Sequence, residues 1–161
     1  MKPHEEYMKR AIEVAKETYN KGGVPTGCVV VAKNGEIIAE GLSLVTPLGD
    51  PTCHGEVMAI REASKKIGST NLEGLSLYAT LESCGMCMSA ALWSNMNAIY
   101  FGAFASDVEG NKYEYREYSS IERAKSSQRW DGSSIKVEGG ILRSECSDLM
   151  KNYKNWQEVK V

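Results

Sequence analysis

Two short clusters in this sequence carry side chains able to bind a metal and move protons: His54-Gly55-Glu56 and Cys84-Gly85-Met86-Cys87. Two cysteines spaced C-x-x-C at a strand-to-helix turn aim their thiolates at one point. A histidine from a second helix start supplies a third ligand, and zinc is the metal that this donor set suits. Three protein ligands leave one tetrahedral position open, which distinguishes catalytic from structural zinc. Glu56 lies two residues after His54, too close to serve as a second ligand from the same turn and well placed to carry protons beside the metal. Bound zinc makes water a nucleophile at neutral pH, and a positioned carboxylate adds about 10²–10⁴-fold by proton transfer.

Two other readings compete with this one. A closed structural zinc site needs a fourth ligand, which would have to come from Cys53, Cys28 or Cys146. Cys53 adjoins His54 and points elsewhere in most backbones, and the other two are distant in sequence. A redox C-x-x-C explains neither His54 nor Glu56. The catalytic zinc site, one ion per chain, accounts for all four residues.

The elements that must position these groups are legible from periodicity. Residues 4–21 read as an amphipathic helix with Met8, Ala11, Ile12, Ala15 and Tyr19 on one face, stopped by Gly22-Gly23. Asn34-Gly35 between apolar runs at 28–32 and 37–39 predicts a β-hairpin. Residues 44–52, with Pro47, Gly49 and Pro51, read as a loop delivering the chain to His54. A helix is expected from 54 to about 66, a strand at 75–81, a helix at 86–93 and a strand at 98–103. A short strand at 135–137 and a last helix at 144–153 complete the pattern. The Tyr-rich stretch holding Tyr113, Tyr115 and Tyr118 has no clear period. Strands alternating with helices imply a three-layer α/β/α sandwich around a mixed sheet of about five strands. Both metal-binding pieces then begin helices, whose partial positive charge favours thiolate over thiol.

Composition bounds the partners. The 161 residues, 42% hydrophobic and 25% charged, suit a single domain spanning 1–161. A net charge of −2 offers no general attraction to nucleic acid or a membrane surface. The only basic clusters, Lys65-Lys66 and the stretch from Lys151 to Lys154, read as solvated helix faces. No apolar run reaches the length of a membrane span, and the first residues lack a signal-peptide core. Five cysteines, an odd number, argue against a disulfide framework, so a cytoplasmic location is expected.

Asp50-Pro51-Thr52-Cys53-His54-Gly55-Glu56 resembles the first motif of the cytidine deaminase-like superfamily, and Thr80-Leu81-Glu82-Ser83-Cys84-Gly85-Met86-Cys87-Met88 resembles its second. The resemblance implies that His54, Cys84 and Cys87 hold zinc and that Glu56 is the general acid/base of a hydrolytic deamination. Two departures stand out. Ser83 occupies the place of the family's usual proline, and Ser43 that of an asparagine that contacts substrate. Serine lacks the paired amide donor and acceptor.

Within the superfamily, the acidic residues Asp107 and Glu109 after the fourth strand and Trp93 on the second motif's helix resemble guanine deaminases. That similarity implies a zinc-dependent deaminase of a free base, best guanine, with Ser43, Trp93, Asp107 and Glu109 as substrate contacts. Gly22-Gly23-Val24-Pro25 and His54-Gly55-Glu56 also look like free-base cytosine deaminases, where Trp156 would close the site. A tRNA adenosine deaminase, or a non-catalytic nucleic-acid-binding member, is the third alternative. The helix after Cys84 is apolar on more than one side (Met86, Met88, Leu92, Trp93), so a homodimer pairing near it is expected.

Overall fold

The computed structural model describes residues 3–108, 119–129, 132–151 and 153. In chain order the helices and strands are α1 (Pro3–Asn20), β1 (Gly27–Val31), β2 (Ile37–Leu42), α2 (Val45–Leu48), α3 (Gly55–Ile67), β3 (Ser76–Leu81), α4 (Gly85–Trp93), β4 (Ala98–Ala103), α5 (Ser120–Ser126), β5 (Lys136–Gly139) and α6 (Arg143–Met150). The strands form one sheet in the order β2-β1-β3-β4-β5. β1 pairs antiparallel with both β2 and β3, whereas β3–β4 and β4–β5 are parallel. Each parallel pair needs a crossover to return the chain to the same end of the sheet, and α4 and α5 lie in those crossovers. The mixed five-stranded α/β architecture expected from the alternation of elements is the one observed.

Strand alternation divides the interior into two cores. Cys28 and Val30 of β1 face a cluster with Ala59, Ile60 and Ala63 of α3, Met88 and Ala91 of α4 and Ala124 of α5. Val29 and Val31 face the opposite cluster, with Met8, Ala11 and Val14 of α1 and Cys146 and Met150 of α6. Every residue of β1 is therefore buried, as a central strand covered on both faces requires. The face expected for the first helix is met by Met8, Ala11, Ala15 and in part Ile12, but Tyr19 is 56% exposed, and Val14 and Thr18 fill the buried positions instead.

The Asn34-Gly35 signal forms the expected turn. Gly35 adopts φ 88°, its N–H donates to the Ala32 carbonyl at 2.9 Å, and the Asn34 side chain accepts from the Glu36 N–H at 3.1 Å. β2 runs three residues beyond the expected end, because Gly27 and Cys28 need ladder partners and find them in Leu42 and Gly41. Two short helices depart from the sequence reading. α2 lies inside the predicted loop and ends at Gly49 in the left-handed region. α5 carries a capping box, in which Ser119 accepts from the Glu122 N–H and Glu122 accepts from the Ser119 N–H. Its S-x-x-E signal was present in the sequence, but too few apolar residues follow to give the stretch a period.

The close seat of α3 on β2 depends on Gly41. A Cβ built there would lie 1.9 Å from the Gly55 carbonyl oxygen and 2.6 Å from the Ala59 nitrogen. Backbone cannot yield as a flexible side-chain tip can, so α3 would have to lift, carrying His54 and Glu56 with it. Gly41→Ala is expected to destabilise the protein by about 3 kcal/mol in urea unfolding and to weaken zinc binding in the same variant. An unchanged urea midpoint would contradict this packing.

Candidate metal centre and active site

The metal-ligating side chains converge because two helices start at one end of the sheet. His54 is the N-cap of α3, with φ −67° and ψ 149°, and Cys84 is the N-cap of α4, with φ −71° and ψ 174°. Extended N-cap backbone turns each side chain off the helix and toward its neighbour. Cys87 then lies on the first turn of α4, fully buried. The His54 Nδ1 is 3.7 Å from each sulfur, and the two sulfurs are 3.6 Å apart. A tetrahedral zinc with Zn–S near 2.3 Å and Zn–N near 2.0–2.1 Å requires separations of about 3.5–3.8 Å, so the donors fit zinc without rearrangement. Among the described residues no other group of three such side chains converges in this way.

The other cysteines do not complete a fourth ligand. All five are free thiols. Cys53 faces Arg61, whose Nη1 lies 3.9 Å from its sulfur. Cys28 packs beneath Gly55 in the core under α3, and Cys146 lies in the core on the opposite side of the sheet. With three ligands converging and none of these thiols joining them, the set has the ligand count of catalytic zinc.

Electrostatics at the centre favour metal binding. The Cys84 thiol is pushed down to about 4, chiefly by its contact with Cys87 and also by that with His54, against the opposing effect of burial. Cys87 is pushed the other way by the same contact with Cys84 and by burial. Glu56 is only 7% exposed. Burial raises its carboxyl above the usual carboxylate range, and the charge on Cys84 adds to the rise. A buried carboxyl poised in this way suits a group that must take up a proton and release it.

The remaining expected contacts separate into different places. Ser43 is buried just past β2, and the Leu44 N–H donates to the Cys53 carbonyl at 3.0 Å, which brings residue 43 beside the His54 turn. Trp93 is 76% exposed and nine positions beyond Cys84, about 13 Å along the helix axis. There it lines a groove with Ser89, Leu92 and Arg129, away from the metal centre of its own chain. Asp107 is occupied in holding the fold. Its two oxygens accept from Arg143 Nε at 2.9 Å and Nη2 at 2.6 Å, and one also accepts from the Phe104 N–H at 2.8 Å. Arg143 holds this carboxyl below its ordinary range. The carboxylate expected to read substrate thus ties the exit of β4 to α6. Glu109, Trp156 and the tyrosines at 113, 115 and 118 lie outside the described residues.

One buried acid escaped the sequence reading altogether. The Glu82 carboxylate accepts from the Ser120 N–H at 2.8 Å, the Ser120 hydroxyl at 2.9 Å and the Ala105 N–H at 3.0 Å. It fastens the end of β3 to the start of α5 and to the turn after β4. Its partners lie 23 and 38 residues away, so no local pattern marks it.

Residues 1–103 match the family model described as the cytidine and deoxycytidylate deaminase zinc-binding region. The chain is 45% identical over 106 residues to the guanine deaminase of Bacillus subtilis (strain 168), covering 65% of this chain and 67% of that one. It is 36% identical over 153 residues to the tRNA-specific adenosine deaminase of the same strain, covering 95% and 89%. A solved guanine deaminase from Nitrosomonas europaea superposes with a TM-score of 0.79 at 24% identity, over 91% of this chain and 81% of that one, and shares the fold. Sequence, fold and the converging His-Cys-Cys donors agree: the chain belongs to the cytidine and deoxycytidylate deaminase zinc-binding family and is a zinc-dependent hydrolytic deaminase.

Proposed function

We propose that this deaminase acts on a free amino-bearing nucleobase, guanine first, converting guanine and water to xanthine and ammonia. The observation that carries the reading is the 45% identity to the guanine deaminase of B. subtilis, against 36% to the tRNA-specific enzyme of the same species. The surface charges support a small substrate. Lys65 pairs with Glu62, Lys66 with Glu36 and Lys151 with Asp148. Lysines neutralised by neighbouring carboxylates make a poor track for a phosphate backbone.

In this reading His54, Cys84 and Cys87 hold zinc. When bound, zinc supplies the Lewis acidity that makes water a nucleophile at neutral pH. Glu56 accepts the proton released from water at a carboxylate oxygen. It delivers that proton to the ring nitrogen beside the attacked carbon, and a later proton to the amino group as it leaves. Burial of Glu56 keeps bulk water from short-circuiting the transfer. Ser43, beside the His54 turn, contacts the base edge.

A second reading has its own support, because the alignment with the tRNA-specific adenosine deaminase covers 95% of this chain and that with guanine deaminase 65%. An ammonia-release panel of zinc-loaded protein decides between them, with guanine, cytosine, adenine, guanosine, cytidine and a tRNA anticodon stem as substrates. Release from guanine alone supports the first reading. Release from the anticodon stem alone transfers the assignment to the second, and release from cytosine alone to a cytosine deaminase.

The same helix that carries the cysteines also bears an apolar surface. Trp93 is 76% exposed and Met86 36%, on a helix whose opposite side packs into the core. We propose that a second copy covers this face. Sedimentation at micromolar concentration is expected to show a dimer, and Trp93→Glu to shift it to monomer. A monomeric parent protein under those conditions would overturn the dimer.

A further inference from the structure

We propose that the Ser83 hydroxyl is a positioning group for Glu56, donating a hydrogen bond to its carboxylate in the zinc-loaded site. The inference rests on Glu56 being the proton carrier described above, and it concerns a residue found where the family pattern carries proline.

Ser83 is 3% exposed and stands between the end of β3 and the ligand Cys84. Its Oγ is buried with no hydrogen-bond partner among the described residues. Leaving a buried hydroxyl unsatisfied costs about 1–3 kcal/mol, and buried polar side chains nearly always find partners. The neighbouring acid Glu82 is already engaged, accepting from Ala105 and from both donors of Ser120. Glu56 is the other buried acid beside this turn: it follows by two residues the ligand His54, whose Nδ1 lies 3.7 Å from the sulfur of Cys84, the residue after Ser83. A carboxylate is the strongest acceptor a hydroxyl can meet, with such bonds closing to about 2.5–2.7 Å. Proline offers neither an N–H nor a hydroxyl, so this chain gains a donor immediately before the ligand Cys84. The held carboxylate keeps one oxygen aimed at the reacting centre rather than folded back on its own helix terminus.

Three variants and one structure test this. Ser83→Pro restores the family residue, Ser83→Ala removes only the hydroxyl, and Ser83→Thr retains it. With guanine, or with whichever panel base the parent deaminates fastest, Pro and Ala variants are expected to lose about tenfold or more in kcat, the equivalent of one hydrogen bond to a charged group. KM stays within about threefold, Ser83→Thr recovers most of the rate, and zinc content and melting temperature match the parent. Parent-like kcat in both Ser83→Pro and Ser83→Ala overturns the proposal. A crystal structure of the zinc-loaded parent supplies a reading independent of substrate. A Ser83 Oγ to Glu56 oxygen distance below about 3 Å is expected, and a hydroxyl turned away from Glu56 overturns it. A wrong base assignment leaves that distance untouched, so the two failures are distinguishable.

Discussion

Glu56→Gln abolishes ammonia release while zinc remains bound. Glutamine matches glutamate in size, so the packing around a side chain that is 7% exposed is retained. What it lacks is the capacity to take a proton from water and return it to the substrate. General acid–base catalysis of this kind is worth about 10²–10⁴-fold. In the mechanism proposed above Glu56 serves in more than one transfer, so the expected loss lies at the upper end of that range. Stability is expected to move the other way. Burial raises the Glu56 carboxyl above the usual range, with the charge of Cys84 adding to the rise, so an uncharged amide suits the site at least as well. An equal or higher melting temperature beside an inactive enzyme would separate chemistry from folding. Residual activity above a tenth of the parent's would remove Glu56 from the mechanism.

Removing one sulfur has a different signature. Cys87→Ser is expected to lose zinc and activity together, by at least about 10³-fold in affinity, because an alcohol is a poor substitute for a thiolate. Cys87 is fully buried on the first turn of α4, so no mobile side chain can swing in to replace it. The parent's melting temperature is expected to rise on zinc addition, since a ligand at a thousand times its Kd adds about 4 kcal/mol to stability. The variant should show no such rise. Binding should also release protons, because zinc takes cysteine as thiolate and the contact with Cys84 and burial push the Cys87 thiol up. The sign follows directly: acidification favours the protonated ligands and weakens zinc, and raising pH strengthens it. Titration calorimetry in buffers of different ionisation enthalpy measures that release. Zinc binding by Cys87→Ser at parent affinity would be the result that sinks the assignment.

The two motifs and most of the fold were legible in the chain itself. His54, Glu56, Cys84 and Cys87 were identifiable because metal chemistry demands particular atoms at short spacings, and short spacings survive in one dimension. The hairpin was readable because Asn34-Gly35 makes a turn that few other pairs make. β2 was read short because its last residues are ordered by pairing with Gly27 and Cys28, a contact between segments. α5 was missed because seven residues carry too little pattern, although its cap was written out in Ser119 and Glu122.

The substrate contacts fared differently, for a reason the structure makes plain. Asp107 is expected to contact substrate, but Arg143, 36 residues away, takes both its oxygens. Trp93 is expected to contact substrate, but helix geometry carries it to the far end of α4 from Cys84. Glu82, invisible as anything but an acid before the C-x-x-C, turned out to fasten two segments to the end of β3. The sequence by itself determined the reaction class, since ligand identity and local spacing are set by covalent connectivity. Only the tertiary structure decided that Asp107 and Glu82 are engaged in holding segments together, because a side chain's availability depends on partners that the chain brings together from tens of residues away.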